Sequence, residues 1–290
     1  MAVIEILAKT ILASFKQPDP LFGLKYNMNL YRGCQHQCIY CDSRSLCYGI
    51  ENFHDILVKV NALELLRREL PRKRVKGVIG TGSMNDPYMP IEKHYRLTGQ
   101  ALELIARHGF GVHIITKSAL VLRDLDLLAE IKKMHCTVSL SISTTDDELG
   151  RKLEPGASLI SERFAAIHAL AERGIQAGVC MMPVLPFIED SEENITAVVR
   201  RAAECGASYV VPWFGMSLRD RQRAYYYEQL DRLFPGLHAR YERAFGERYE
   251  APARSAGRLS ALFHNLCHEH GLATAAPAAK PQAGEQLSLF

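Results

Sequence analysis

The segment Cys34-Gln-His-Gln-Cys38-Ile-Tyr-Cys41 places three cysteines within eight residues. Cysteine thiolates are the usual ligands of iron–sulfur clusters, and a four-iron cluster offers one ligand position on each iron. Three thiolates on one short segment would therefore hold three irons and leave the fourth iron open to a substrate or a second cofactor. The C-x3-C-x2-C spacing thus favours an iron–sulfur site, and it follows directly on the first predicted strand of the chain.

Two other readings of these cysteines remain open. Cys47 lies six residues beyond Cys41, and His36 lies between the first two cysteines, so either could complete a four-ligand zinc site. A disulfide pair is a third alternative. Zinc sites usually combine two separated C-x2-C pairs, and this sequence has no second pair, so a cluster is favoured. Cys47 is then a buried small residue or a thiol near the site.

Composition sets broad limits on the chain. Its 290 residues, of which 48% are hydrophobic, can form one large domain or two small ones. A formal net charge of +3 is too small to indicate a nucleic-acid partner. No apolar run reaches membrane-spanning length, and the N-terminal segment resembles no signal peptide. Eight cysteines suit a reducing compartment. We expect a soluble cytoplasmic protein that does not interact with a membrane.

Strand-like and helix-like segments alternate from Tyr26 to Phe214, which indicates repeated βα units and a parallel sheet. Six units suggest a partial barrel, with the cysteine segment at the C-terminal ends of the strands, where sites form in α/β folds. The predicted strands are Tyr26–Tyr31, Val75–Gly80, Val112–Thr116, Thr137–Ile142, Gln176–Met182 and Ser208–Pro212. The predicted helices are Asp55–Glu69, Glu92–His108, Asp124–Lys133, Ile160–Arg173 and Ser191–Cys205.

Beyond Pro212 the pattern is helical, and it ends in an Ala/Pro-rich segment of low complexity at 273–286. Three further helices are predicted over Asp220–Leu233, Leu237–Phe245 and Ser255–His270. The predicted organisation is an N-terminal extension (1–25), a partial barrel (26–214), a helical C-terminal extension (215–272) and a flexible tail (273–290).

The wider segment from Tyr26 to Arg44 resembles the spore photoproduct lyase-like branch of the radical S-adenosylmethionine (SAM) superfamily. Further similarity lies in the segments 82–92, 115–124, 139–143 and 153–156, and the resemblance covers roughly residues 22–270. It implies a partial (β/α)6 barrel of the TIM type, a 4Fe-4S cluster and SAM as cofactors, and an electron donor as partner. In this superfamily one electron from the cluster cleaves SAM to a 5′-deoxyadenosyl radical, which abstracts hydrogen from the substrate.

The resemblance also implies roles for particular residues. Cys34, Cys38 and Cys41 would ligate the cluster. Of the residues expected to bind SAM, Tyr40 would pack near the adenine, Ser83 would hydrogen-bond the methionyl end, and Lys117 would reach the carboxylate. No residue is identified as the catalytic acid, base or hydrogen donor.

A row of serines adds a further candidate for the binding of SAM. Ser139, Ser141 and Ser143 alternate along a predicted strand and therefore face one side. If that side faces the interior of the barrel, Ser141 is the best candidate for a ribose or carboxylate contact, although a purely structural role remains the alternative. Asn85, Asp86, Tyr88 and Glu154 could contact substrate from loops at the same end.

One departure from the branch concerns the hydrogen donor. Spore photoproduct lyases use an additional cysteine on the loop after the second strand, whereas this loop contains Met84 and no cysteine. A thioether has no S–H hydrogen to transfer. We therefore expect no efficient reversal of thymine dimers by that mechanism. Cys180 either supplies a thiol from another strand or is a buried core residue.

The final residues Gln286-Leu287-Ser288-Leu289-Phe290 resemble the pentapeptide with which bacterial repair proteins bind the sliding clamp. An extended peptide of this kind places aliphatic and aromatic side chains in preformed pockets. We therefore expect a clamp partner that binds Gln286, Leu287, Leu289 and Phe290. The alternatives are a tail that docks on its own domain and an accidental match.

The leading hypothesis is a radical SAM enzyme, of lyase type, that acts on DNA in repair or on nucleotides in modification. A radical SAM enzyme for a protein or small molecule is the second hypothesis. A non-catalytic, metal-bearing adaptor is the third.

Overall fold

The structure is a computed structural model that describes residues 1–278, so the predicted clamp-binding pentapeptide at 286–290 lies outside the described residues. It is a mixed α/β fold built on a seven-stranded sheet with the order β10-β9-β8-β7-β6-β3-β2. Six of these strands are parallel, and β2 pairs antiparallel with β3 at one edge. The strands are β2 (Leu12–Ser14), β3 (Leu24–Met28), β6 (Val78–Thr81), β7 (Gly111–Thr116), β8 (Cys136–Ser141), β9 (Gln176–Met181) and β10 (Tyr209–Pro212).

Along the sheet, the six parallel strands lie side by side in their sequence order, and helices lie in the connections between them. Five of the six predicted strands and the predicted helical segments between β6 and β10 are confirmed, with shifts of up to three residues at their ends. The predicted strand Tyr26–Tyr31 is correct only in part, because β3 ends at Met28 and Tyr31 lies in a short strand of a separate sheet. The helices between strands are α1 (Ala62–Glu69), α2 (Glu92–Tyr95), α3 (Leu97–Arg107), α4 (Leu125–Ile131), α5 (Asp147–Leu153), α6 (Ile160–Glu172) and α7 (Glu192–Glu204). The segment predicted as one helix over Glu92–His108 is divided at Arg96, whose φ of 51° lies in the left-handed region.

The inner strands of the sheet are buried on both faces. Every residue of β6 and β8 is buried, and β7 is buried apart from Ile115. Burial of both faces is expected in a parallel sheet, because the crossover helices cover it from outside. The main hydrophobic core lies between these strands and α1, α3, α4, α6 and α7.

A second sheet of three strands corrects one prediction. The segment predicted as the beginning of a helix at Asp55 is strand β5 (Ile56–Lys59), which pairs in parallel with β1 (Val3–Ile6) and antiparallel with β4 (Tyr31–Arg32). Alternate residues of β5 are buried, which is the period of a strand. The apolar run in this segment is too short to separate the two periods, and the partners that decide the outcome come from distant parts of the sequence.

The C-terminal part of the described chain is helical, as predicted. It contains α8 (Asp220–Leu233), α9 (Leu237–Phe245) and α10 (Ala256–Glu269), together with an unpredicted antiparallel pair, β11 (Gly215–Ser217) and β12 (Glu250–Pro252). Within residues 1–278, none of the helices combines the length and the apolar character that a bilayer crossing demands.

Candidate functional site

A cavity of about 370 Å³ lies at the C-terminal ends of the parallel strands. Its wall includes Ser83 from the loop after β6, Lys117 from the residue after β7, and Ser141 at the end of β8. Cys180 near the end of β9 and Trp213 after β10 continue the wall. The sheet thus brings side chains that are far apart in sequence to one place, as parallel strands do at their carboxyl ends.

The three cysteines of the C-x3-C-x2-C segment also line this cavity. Cys34 and Cys38 are buried and Cys41 is half-buried, and all three are free thiols. Short turns shape the segment, because the Cys41 amide donates to the Cys38 carbonyl at 3.3 Å and the Arg44 amide donates to the Cys41 carbonyl at 3.3 Å. The structure therefore brings together the thiols that the sequence predicts as cluster ligands.

The environment of the thiols is apolar enough to change their acidity. Burial raises the pKa of Cys34 to about 12 and raises the pKa of Cys38 and Cys41 as well. The positive charge of Lys117 acts in the opposite direction on Cys38 and Cys41. A metal would bind the deprotonated thiolates and release their protons. Among the described residues, no group of three or more Cys, His, Asp and Glu side chains has the arrangement of a metal site as it stands.

The two residues considered as further zinc ligands have other contacts. Cys47 is exposed, and Arg219 Nη1 lies 3.2 Å from its sulfur. His36 lines the cavity, but its Nδ1 lies 2.8 Å from the Gly156 carbonyl oxygen and its Nε2 lies 3.1 Å from Asp86 Oδ2. His36 thus ties the cysteine segment to two other loops.

Lys117 and Tyr40, two of the residues predicted to bind SAM, meet at a buried carboxylate. The Tyr40 hydroxyl donates to Glu154 Oε1, and Lys117 Nζ lies 3.9 Å from the same oxygen. The other oxygen, Oε2, pairs with Arg163 at 2.5 Å. Burial alone would raise the pKa of Glu154, but Arg163, Lys117 and Tyr40 together hold it below its ordinary value. Glu154 is therefore an anion that fixes the residues around it.

Lys117 carries its charge into the cavity wall. Burial alone would lower its pKa, but electrostatic interaction with the Cys38 sulfur and the Glu154 carboxylate outweighs that effect and raises the pKa. The ammonium also lies 5.8 Å from the centre of the Tyr40 ring. Lys117 is consequently a stable cation beside the cysteines.

Asp86 connects the loop after β6 to β7 and to the cysteine segment. Its carboxylate accepts hydrogen bonds from the Thr116 hydroxyl at 2.7 Å and from the Lys117 amide at 2.6 Å, in addition to its contact with His36. Burial would raise the pKa of Asp86, but these contacts lower it to about 2. The amide of Tyr88 donates to Asp86 as well. These internal contacts bind the carboxylate of Asp86 into the wall of the site.

Two serines of the predicted row, Ser139 and Ser141, lie on the same face of β8, but their surroundings differ. Ser141 lines the cavity, and its carbonyl oxygen accepts a hydrogen bond from Arg163 at 2.8 Å. Ser139 lies deeper, where its hydroxyl contacts His113 Nε2 at 2.8 Å and the Tyr209 hydroxyl at 2.6 Å. Of these two serines, Ser141 is therefore the one available to a ligand in the cavity.

The remaining predicted residues differ in position. Tyr88 is fully buried outside the cavity wall, where its hydroxyl donates to Asp124 at 3.0 Å, so the predicted substrate contact is wrong for this residue. Ser83 is exposed, and it exchanges hydrogen bonds with the side-chain amide of Asn27 at 3.0 and 3.3 Å. Met84 and Cys180 both line the cavity. Asn85 is also in the wall, and its side chain donates to the Tyr31 carbonyl at 2.8 Å.

Sequence reasoning missed Arg163 and Glu189. Arg163 is almost fully buried on α6, and Glu189 is fully buried on the loop after β9. Each occurs in a segment with no local motif, so nothing in the neighbouring sequence marks it. Their partners, Glu154 and Ser143, are brought to them only by the fold.

Comparison with protein families gives a match over most of the sheet. The model of the radical SAM superfamily matches residues 28–199. An uncharacterized protein of Mycobacterium tuberculosis is 32% identical over 249 residues, which are 83% of this chain and 73% of the relative. An uncharacterized protein of Methanocaldococcus jannaschii is 34% identical over 193 residues, or 66% of this chain and 70% of the relative. A radical SAM Nalpha-GlyT isomerase of Pseudomonas phage M6 is 27% identical over 181 residues, or 62% of this chain and 37% of the relative.

Comparison with solved structures shows a similar fold. Spore photoproduct lyase in complex with dinucleoside spore photoproduct superposes with a TM-score of 0.70. The match covers 93% of this chain and 81% of the lyase, at 18% sequence identity. A mutant of the same lyase with bound AdoMet and dinucleoside spore photoproduct also gives a TM-score of 0.70, over 95% of this chain and 82% of the lyase chain at 17% identity. The fold of this chain is thus that of the lyase.

Proposed function

The chain belongs to the radical SAM superfamily, and we propose that Cys34, Cys38 and Cys41 hold a 4Fe-4S cluster with which it cleaves SAM. The observation that carries this proposal is the convergence of three free thiols on one cavity. Thiolates are the ligands that such a cluster requires, so the donor set fits. When bound, the cluster and SAM supply a radical that abstracts hydrogen from a substrate, and the protein positions the reactants.

Four residues around the cysteines are proposed to hold SAM. The Lys117 ammonium would pair with the SAM carboxylate, because it lines the cavity and its own contact with Glu154 is long at 3.9 Å. Tyr40, whose hydroxyl is fixed by Glu154, would present its ring to the adenine. The hydroxyls of Ser141 and Ser83 would bind polar atoms of SAM from the ends of β8 and β6.

The sheet is proposed to curve into the partial (β/α)6 barrel of the superfamily. In a flat sheet β3 and β10 would lie five strand spacings apart, about 24 Å. Yet one cavity of about 370 Å³ is lined both by the cysteines that follow β3 and by Trp213, which follows β10. A strongly curved sheet brings these segments close enough to share a cavity.

The substrate is proposed to be DNA or a nucleotide. The lyase with the same fold is in complex with a dinucleoside, although at 18% identity this likeness concerns the fold alone. The dinucleoside bound by the lyase motivates the choice of nucleic acid over other substrates. Met84 in the cavity wall has no transferable hydrogen, so the proposed reaction differs from thymine-dimer reversal by a thiol on that loop.

An anaerobic assay of SAM cleavage tests this function. The reconstituted, reduced protein is supplied with SAM and with oligodeoxynucleotides that carry intact, damaged or modified bases, and 5′-deoxyadenosine is measured. We expect a basal rate without DNA and faster cleavage with the oligonucleotide that contains the substrate base. Cleavage that peptides or small metabolites accelerate, and that no oligonucleotide changes, would contradict a nucleic-acid substrate.

A sliding clamp is proposed as the partner that brings the protein to DNA. The supporting feature is the sequence Gln286-Leu287-Ser288-Leu289-Phe290. A peptide with this sequence should bind a bacterial clamp with micromolar affinity, or roughly 8 kcal/mol of binding free energy. The double change Leu289→Ala and Phe290→Ala should abolish binding, whereas Ser288→Ala serves as the matched control. Equal clamp binding by the full chain with and without the double change would refute the proposal.

A further inference from the structure

Trp213 is the only tryptophan in the sequence, and it lies at the mouth of the cavity. Its side chain is 41% exposed. Tryptophan is highly buried on average, and its indole N–H usually has an acceptor. Within residues 1–278 the indole of Trp213 has neither a hydrogen-bond acceptor nor a stacked aromatic or cationic partner. Both its face and its N–H are thus available to a ligand.

The backbone of Trp213 is held on both sides. Its amide donates to the Met181 carbonyl at 3.0 Å, and its carbonyl oxygen accepts from the amides of Val184 and Gly215 at 2.9 and 3.0 Å. These bonds connect it to the end of β9 and to the start of β11. The exposed ring therefore projects from a fixed backbone position, so little backbone entropy is lost when a ligand stacks on it.

A second aromatic ring and several thioethers also line the cavity. Phe22, which precedes β3, lines the cavity and packs against His113 with the ring centres 4.4 Å apart. Met84, Met182 and Met216 also line it. Methionine side chains adapt to the outline of a flat ligand. The cavity wall therefore offers apolar surface that can accept a planar group, in addition to the cysteines and Lys117.

We propose that Trp213 is the surface on which one nucleobase of the substrate stacks. The inference rests on the proposed nucleic-acid function and names the residue that holds the base. Stacking on an aromatic ring is open to every base because each has a π-face. The indole N–H can in addition donate a hydrogen bond to a base carbonyl or ring nitrogen. SAM would lie against Lys117, and the base would lie against Trp213.

Binding of oligonucleotides to the reconstituted protein, with SAM present at saturation, tests the proposal. A labelled short oligothymidylate is the probe for fluorescence anisotropy, and an abasic oligonucleotide of the same length is its control. We expect Trp213→Ala to weaken binding of the oligothymidylate by about tenfold, and Trp213→Phe to restore part of the affinity. Tyr249→Ala, a change of an exposed aromatic residue outside this cavity, should leave the affinity unchanged.

The single tryptophan supplies an independent readout. Oligothymidylate should change the emission of Trp213 in the wild-type protein, whereas the abasic oligonucleotide should not. Equal affinity of the wild type and Trp213→Ala would overturn the stacking role and leave the nucleic-acid function intact. Equal emission changes with the two oligonucleotides would also overturn it. If neither oligonucleotide binds the wild type, the proposed nucleic-acid function fails, and the stacking role fails with it.

Discussion

Lys117 brings a positive charge to the cavity wall beside the cysteines. Its ion pair with Glu154 neutralises that charge only in part. Glu154 lies 3.9 Å from the ammonium, but the same carboxylate also pairs with Arg163 and accepts from Tyr40. A carboxylate of SAM would therefore gain a charge-assisted contact at Lys117. Such contacts are among the stronger ones available to a ligand.

Removal of this charge should weaken the binding of SAM. We expect Lys117→Met to raise the dissociation constant of SAM about tenfold, because a hydrogen bond to a charged group contributes about 1.5 kcal/mol or more. Titration calorimetry on the anaerobically reconstituted protein measures the constant. Lys93→Met, which removes an exposed lysine from α2, is the matched control. An unchanged dissociation constant in Lys117→Met would remove Lys117 from the SAM site.

Glu189 shows the opposite electrostatic situation. Burial raises its pKa to about 8, and the hydrogen bonds donated by the neutral Ser143 hydroxyl and Leu185 amide, which lower the pKa, offset this effect only in part. The folded protein therefore keeps this proton at pH values where the unfolded chain, with the ordinary pKa of 4.5, has lost it. By linkage the group's contribution to stability is present below pH 4.5 and is lost as the pH rises towards 8.

The change Glu189→Gln should remove this loss of stability at high pH. Between pH 5 and pH 8.5 we expect the free energy of unfolding of Glu189→Gln to rise by a few kcal/mol relative to that of the wild type. Urea denaturation at the two pH values measures the difference. Glu103→Gln, on the exposed face of α3, controls for the loss of a surface carboxylate. If the free energies of unfolding of Glu189→Gln and the wild type differ by the same amount at both pH values, Glu189 is ionised in the folded protein.

Among the elements, the loop after α5 positions the cysteine segment. The amide of Gly156 donates to the His36 carbonyl at 3.0 Å, and the amide of Ile39 donates to the Leu153 carbonyl at 2.9 Å. A Cβ atom at Gly156 would lie 2.1 Å from the Gln35 carbonyl oxygen. The two segments are thus in direct backbone contact. This contact is possible because glycine has no Cβ atom.

The change Gly156→Ala should therefore disturb the cysteine segment. We expect it to lower stability by at least 1 kcal/mol and to reduce the iron bound after reconstitution, because backbone must move to admit the methyl group. Thermal unfolding and iron analysis measure the two effects. Gly257→Ala on α10, where a Cβ would meet no atom within 4 Å, should be neutral or slightly stabilising. Full iron content and unchanged stability in Gly156→Ala would contradict this role of the loop.

The elements also show how far the sequence alone can predict this fold. The helices Asp220–Leu233 and Leu237–Phe245 were predicted with their observed bounds, because helical periodicity is a local property. Strand β5 was predicted as helix, because its partners β1 and β4 are decided by distant contacts. For the same reason the cysteines were recognised from their spacing, whereas the Glu154–Arg163 pair became visible only in the structure.

At the scale of the whole molecule, the order of the six parallel strands brings the chemistry together. The cavity wall draws on residues from Phe22 to Ser217, although the cysteines themselves occupy only eight positions. Membership of the radical SAM superfamily accounts for this arrangement, since the segment matched by the family model begins at residue 28 and includes the cysteines. Among the described residues, the cavity wall contains none beyond Ser217, so removal of the proposed clamp-binding tail should leave the cluster unaffected.

The central claim is that Cys34, Cys38 and Cys41 alone hold the cluster, and iron analysis with electron paramagnetic resonance after anaerobic reconstitution tests it most directly. The wild type and Cys47→Ala should each bind about four irons per chain and show a reduced-cluster spectrum that SAM changes. The triple change of Cys34, Cys38 and Cys41 to alanine should bind no cluster, while circular dichroism checks that the chain is folded. A full cluster in the triple variant, or its loss in Cys47→Ala, would contradict the account.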